Sequence, residues 1–412
     1  MIYHFVPFGL LVRGLLLLLV GAVLLPGCSR APEPEWVAGW QSTEPLIVPR
    51  ASAGTVVVNG YLYAIGGIRG GGVERGFVKS VEFAKIQPDG SVKDWRLTNS
   101  LLVPRGFLKA ITAGDHIYVL GGETFRNGLV LLNTVERARL LPTGSLGPWE
   151  AVSPMTTPRR SPTGVIANNH IYAIGGYNGL FLKSVERATI QPDGSLSAWT
   201  TLPTFLNDDR YIHGAGHVGD QLYIVGGHIE DRSGGKNSAE WTRIQADGSL
   251  SPWQLTETTK IPRFLASTIA AGPFVFTLGG YHDGYLASVE RASVQPDGSL
   301  SAWVETTPLR HAKEGAAVSV AEPPAEQPST DQQAAAASNG GKRRLYLIGG
   351  SANGHYLQDV EWTVVNEQGE LGYWTTRSSS GGSSSEPAAG PPLTRPTLEE
   401  AHSPLGSTES SP

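Results

Sequence analysis

The chain has 412 residues, 40% of them hydrophobic, enough for a sizeable buried core. With 51 glycines, 10 tryptophans and 13 tyrosines, it suits many short strands joined by tight turns better than helices. A formal net charge of −5 excludes the basic stripe that nucleic acid demands, and a single cysteine excludes an internal disulfide or a multi-cysteine metal site.

The first element is a targeting signal over residues 1–27. Arg13 supplies a weak positive region, and Gly14 to Leu25 form an apolar run too short to span a membrane comfortably. The run ends in Leu25-Pro26-Gly27-Cys28. This resembles the bacterial lipobox, in which cleavage precedes a lipid-bearing cysteine, and departs from it at Pro26, where a small residue is usual. The chain's only cysteine, Cys28, is thus the expected lipidation site. An ordinary secretory signal with an incidental cysteine is the plainer alternative. Residues 28–35 are a polar, Pro-rich tether, and acyl chains on Cys28 would anchor the protein to a membrane. Ser29 fits sorting to the outer membrane where a cell has two, so the expected location is a cell or outer membrane, facing periplasm or exterior.

Residues 36–377 repeat one unit six times. Glycine doublets begin at Gly66, Gly121, Gly175, Gly226, Gly279 and Gly349, each with an aromatic three residues earlier. Arg50, Arg105, Arg159, Arg210 and Arg263 stand 16 residues before the doublets, and Arg310 is taken as the sixth, displaced by 23 more. After each doublet come a glutamate (Glu82, Glu136, Glu186, Glu240, Glu290, Glu361), a turn glycine, and a tryptophan five residues past that glycine. Within a unit the spacing predicts four strands. In the first they are Thr55–Val58, Tyr61–Ile65, Val81–Ile86 and the stretch around Trp95, with Asn59-Gly60 and Asp89-Gly90 as hairpin turns. Small residues crowd each first strand, as expected near a central axis, and tryptophan suits the wide wedge between neighbouring sheets. Trp40 and Trp374 make seven fourth-strand candidates for six units, leaving open which terminus closes a ring. Residues 322–343 interrupt the sixth unit between its first two strands. Like the tail 378–412, they have the composition of disorder.

Units of about 50 residues with an aromatic before Gly-Gly and a later Trp resemble the kelch repeat. The resemblance covers Trp40 to about Trp374 and implies an all-β fold, a six-bladed kelch-type β-propeller with four-stranded antiparallel blades. Kelch propellers mostly bind proteins. The fold is also similar to a bacterial sialic acid epimerase, which keeps a sugar-modifying enzyme such as a sialic acid or aldose epimerase (mutarotase) as the alternative. Galactose oxidase chemistry, which needs a Tyr–Cys crosslink, is excluded because Cys28 lies in the lipobox.

The arginines, the doublets and the loops that follow them fall on one face, and those loops differ from blade to blade. That divergence marks the recognition face. Candidate binding residues there are Arg50, Arg105, Arg159, Arg210, Arg263, Arg310, Glu123, Tyr177, His228, Tyr281, His282 and Asp283. The arginines admit two readings: an anion-binding ring, or structural ion pairs with the six glutamates. Acid–base candidates are Glu123, Asp208, Asp209, His213, His217, His228, Glu230, His282, Asp283, His311 and Glu314. None maps onto the epimerase, and His213 with His217 suits packing better than metal. The expectation is therefore a monomeric, non-catalytic module without cofactor, metal or nucleic acid, binding an envelope protein or a glycan.

Overall fold

The computed structural model describes residues 35–70, 76–228, 234–323 and 342–375. Cys28, its leader, most of the insertion in the sixth unit, Glu230 and the tail lie outside these. Among the described residues every regular element is a β-strand. Six antiparallel sheets follow in chain order. The first blade comprises Gly54–Val58, Tyr61–Ile65, Val81–Ile86 and Val92–Thr98. The fifth comprises Ser267–Ala271, Phe274–Leu278, Val289–Ser293 and Val304–Thr306. Short ribbons extend the loops after the doublets in the first, second and sixth blades.

The core lies between blades. Along the second strand of blade one, Leu62 and Ala64 pack against blade six, while Tyr63 and Ile65 pack against blade two. Both faces of the sheet are buried, so the strand reads as a continuous apolar run with no solvent side. The tryptophans wedge adjacent sheets apart at their outer edges and tie them together. Trp95 donates its indole N–H to Glu44, Trp149 to Asn99, Trp199 to Ser153 and Trp303 to Glu257, each acceptor a carbonyl of the preceding blade.

Both termini build blade six, and their roles differ. Gln41–Ser42 pair with the third strand at Trp362 and Glu361, where outer strands pair in the other blades. Leu371–Thr375 pair with the far end of that strand at Val364 and Val365, and Glu35–Ala38 line the outside of Leu371–Thr375. Trp40 is 3% exposed and donates to the Thr307 carbonyl of blade five, as its counterparts do elsewhere. Trp374 instead meets Trp36 edge-on at 5.3 Å, so the amino-terminal tryptophan occupies the closing wedge.

Two sets of inter-blade hydrogen bonds, one of them a closed ring, hold the blades in register. In the first, the second glycine of each doublet donates its N–H to a carbonyl of the next blade: Gly67 to Arg105, Gly122 to Arg159, Gly176 to Arg210, Gly227 to Arg263, Gly280 to Lys313 and Gly350 to Arg50. Both residues of the first doublet have positive φ, 59° at Gly66 and 106° at Gly67. A Cβ on Gly66 would also lie 2.8 Å from the Arg105 carbonyl, so no other residue fits. The second is an open series that runs from Ser161 in blade three through blades two, one, six and five to Ile212 in blade four. Phe107 donates to Ser52, Ser161 to Phe107, Leu265 to Ile212, Gly315 to Leu265, and Ser52 to Gly315. Ser52, Phe107, Ser161, Ile212 and Leu265 all have φ between 48° and 54°. For Ile212, a β-branched residue, that conformation is costly and persists because the inter-blade series imposes it.

Candidate functional site

The arginines are interior parts of the blades. Arg50, Arg105, Arg159 and Arg210 are fully buried and Arg263 is 1% exposed. Arg50 uses all five of its N–H donors. Nε bonds Val48, Nη1 bonds the carbonyls of Gly66 and Ser80, and Nη2 bonds the Ser80 hydroxyl and Glu82. Glu82 in turn accepts the backbone N–H groups of Ile47 and Val48. A saturated, neutralised guanidinium has nothing left for an anion, so the geometry is that of the structural ion pair.

Arg310 is not the sixth member. It is exposed and donates to the Trp40 carbonyl at 3.3 Å. With Tyr285 and His311 it lines a cleft of about 560 Å3 between the loops of blades five and six. Lys313 takes the sixth place: it is 1% exposed, its Nζ lies 3.0 Å from Glu361, and its carbonyl receives the Gly280 N–H. Counting back from Gly349 misplaces it because the insertion sits inside that interval. Counting forward 10 residues from Trp303, as from Trp95 to Arg105, finds it.

The variable surface lies just above these pairs. In each blade the residue after the arginine or lysine bridges the residue after the doublet: Ala51 with Ile68, Gly106 with Glu123, Arg160 with Tyr177, Tyr211 with His228, Phe264 with Tyr281, and Glu314 with Ser351. The backbone geometry repeats while the side chains change completely. From blade three to blade five they form a continuous aromatic arc. Tyr177 meets Tyr211 at 5.4 Å, Phe181 meets both Tyr211 and His228, and His228 meets Phe264 at 4.7 Å. Phe264 meets Tyr281 at 5.5 Å, and Tyr281 meets Tyr285 at 5.6 Å. At the other end the Arg160 guanidinium lies 3.9 Å from the Phe107 ring centre and pairs with Glu123 at 3.0 Å. Beyond the arc on the same face Phe125, Leu129 and Leu180 are more than half exposed.

Tyr177, His228, Tyr281 and Glu123 therefore join one surface. Arg160, Phe181, Tyr211, Phe264 and Tyr285 complete it, and sequence reading missed them. Three of these, Arg160, Tyr211 and Phe264, directly follow an arginine already singled out, and the position after each arginine was the usable signal. His282 and Asp283 sit apart, 3.8 Å from each other, with the Asp283 side chain 91% exposed at the loop tip. Asp208 pairs with Lys236 at 3.1 Å. No group of three or more metal-ligating residues occurs among the described residues.

His213 and His217 part company. His217 lies on the inner strand Gly214–Val218, and burial, opposed by the Gly219 backbone and helped by the charge of Lys109, lowers its pKa. His213 lines the axial cavity of about 140 Å3 and packs under Gly175, as Leu108 packs under Gly66. Burial, with the charges of Arg210 and Arg159, pushes His213 down to about 3. The unfolded chain takes up that proton near 6.5 and the folded chain does not, so stability is complete above 6.5 and falls as pH drops towards 3. At pH 5 the loss from this group is about 2 kcal/mol. His213→Leu, which copies Leu108, is expected to flatten urea-denaturation stability between pH 7 and 5 relative to wild type. An unchanged slope would refute the assignment.

Comparison with known proteins agrees with this architecture. A kelch motif model matches residues 49–82 and 158–187. Spermatocyte protein spe-26 of Caenorhabditis elegans is 26% identical over 321 residues, 75% of this chain and 51% of that protein. Beta-scruin of Limulus polyphemus is 26% identical over 146 residues, 34% of this chain and 15% of that protein. The chain thus spans about half the length of the first relative and much less of the second. The solved structure of YjhT superposes with a TM-score of 0.58 at 13% identity, covering 80% of this chain and 98% of that one. Repeated doublets, inter-blade tryptophans and the closed hydrogen-bond ring converge on one description: the described residues form a six-bladed β-propeller of four-stranded antiparallel blades, and two of its repeats match the kelch motif.

Proposed function

We propose that this protein is a non-catalytic binding module, tethered to a cell envelope through lipid on Cys28, which docks a protein partner on its doublet face. The observation that carries the reading is the aromatic arc from Tyr177 to Tyr285. Aromatic side chains give large contact area for little conformational entropy and are enriched where proteins meet. Here they sit on a rigid ring at the positions that vary between otherwise equivalent blades. The exposed Phe125, Leu129 and Leu180 widen the same apolar surface. A sugar-modifying enzyme would need an acid and a base converging on one substrate, and two of the candidate acids, Glu123 and Asp208, are instead paired with Arg160 and Lys236.

Cross-linked capture from the native envelope tests the reading, with wild type beside a Tyr177→Ala, Phe264→Ala, Tyr281→Ala variant of unchanged fold by circular dichroism. A specific protein held by wild type and reduced at least roughly tenfold in the variant is the expected result, as for hot-spot aromatics. Capture that ignores the substitutions, or retention of glycan alone, would overturn it. Globomycin-sensitive processing and labelling with a fatty-acid probe, lost in Cys28→Ala, test the tether.

A further inference from the structure

We infer that the blade-five end of the arc, closed by Glu314, is a pocket for a single cationic side chain, a lysine or arginine presented by the protein partner. The inference rests on the protein-binding reading and specifies the partner's chemistry.

Among the described bridging positions two are carboxylates, one beyond each end of the arc, in unlike situations. Glu123 has its cation: Arg160 lies 3.0 Å away and also covers the Phe107 ring. Glu314 has none among the described residues, and the contact found for its carboxylate is the Ser351 hydroxyl at 3.5 Å. The nearest cation in sequence, Lys313, points inward to Glu361 and Asp359. Arg310 is engaged with the Trp40 carbonyl. The adjoining rim of blade one presents Ala51 and Ile68, which are apolar. Glu314 is therefore a partly buried carboxylate without a counter-charge, and burial pushes it up to about 7.

The arc ends close to it. Tyr285 feels the charge of Glu314, meets Tyr281 at 5.6 Å and 87°, and through Tyr281 connects to Phe264. Ring faces carry negative electrostatic potential, so they repel a carboxylate and attract a cation. A carboxylate left uncompensated at the end of a run of rings makes one kind of guest favourable: a positive charge on an apolar stem. Lysine and arginine have that shape, their methylenes lying along the rings while the charge reaches the carboxylate.

Selection of a random peptide library on the full chain tests this. The expected result is a family of peptides sharing one lysine or arginine. Changing that residue to norleucine should weaken binding at least roughly tenfold, and Glu314→Gln should produce a similar loss without a further one for the norleucine peptide. Glu314→Gln keeps the side-chain shape and removes a desolvated charge, so a melting temperature at or above wild type verifies the fold. Selected peptides that lack a basic anchor yet lose binding on Phe264→Ala would overturn the cation pocket and leave the protein-binding reading standing. A selection with no arc-dependent peptide would overturn both.

Discussion

Arg159→Met is expected to lower stability by about 3–5 kcal/mol, seen as a marked fall in the urea midpoint. The guanidinium is fully buried and bonds the Gly175 and Ser184 carbonyls, the Ser184 hydroxyl and Glu186. Methionine fills much of the space and satisfies none of these acceptors. It also leaves Glu186 as an uncompensated charge in the interior. In the native blade burial works to raise the Glu186 pKa and is outweighed by the Thr156 bonds and the Arg159 charge, so the carboxyl is held below its usual range. Arg159→Lys should cost clearly less, because Lys313 shows that an ammonium can serve the same glutamate position in blade six. Adding Glu186→Leu to Arg159→Met should recover only part of the loss, since the carboxylate also accepts the Thr156 and Thr157 N–H groups. An Arg159→Met variant as stable as wild type would return the arginines to the anion-ring reading.

Trp40→Ala should cost about 3–5 kcal/mol and Trp374→Ala about 1 kcal/mol, compared by urea denaturation. Trp40 is 3% exposed in the wedge between blades five and six and bonds the Thr307 carbonyl. Its loss leaves a cavity beside blade six, the one sheet whose outer strand, Gln41–Ser42, comes from the opposite end of the ring's chain. Limited proteolysis should then cut the Trp40 variant in blade six before the others. Trp374 lies outside the wedge, edge-on to Trp36 and beneath the Lys342 ammonium at 4.4 Å, where truncation leaves an open groove. Equal costs, or a larger one for Trp374, would place closure at the carboxy terminus.

The repeat positions were legible along the chain because each is governed by a constraint local to its blade. The doublets need positive φ and room for a neighbouring carbonyl. The tryptophans need to fill a wedge, and the arginines and glutamates need to satisfy one another wherever a blade exists. Identical blades meet identical demands, so the markers recur at fixed offsets and name the fold. Tyr177, His228 and Tyr281 stood out because they follow the doublets. Their partners Tyr211 and Phe264 did not, although each directly follows a conspicuous arginine, and Tyr285 did not because nothing along the chain shows that it meets Tyr281 edge-on.

What the amino-acid order determined, then, was the unit, its four strands, its count and the face on which variation gathers. Three matters waited for tertiary structure. Trp40 rather than Trp374 closes the ring, because both segments can pair with the last third strand and only their registers against it decide which ring enters the wedge. Lys313 rather than Arg310 completes the set of buried cations, because an insertion between two strands leaves spatial position unchanged while it shifts every count made along the chain. The aromatic arc and its lone carboxylate exist only once separate blades stand side by side, since each blade contributes only part of the arc and the contacts between those parts are made across the axis-facing edge of the ring.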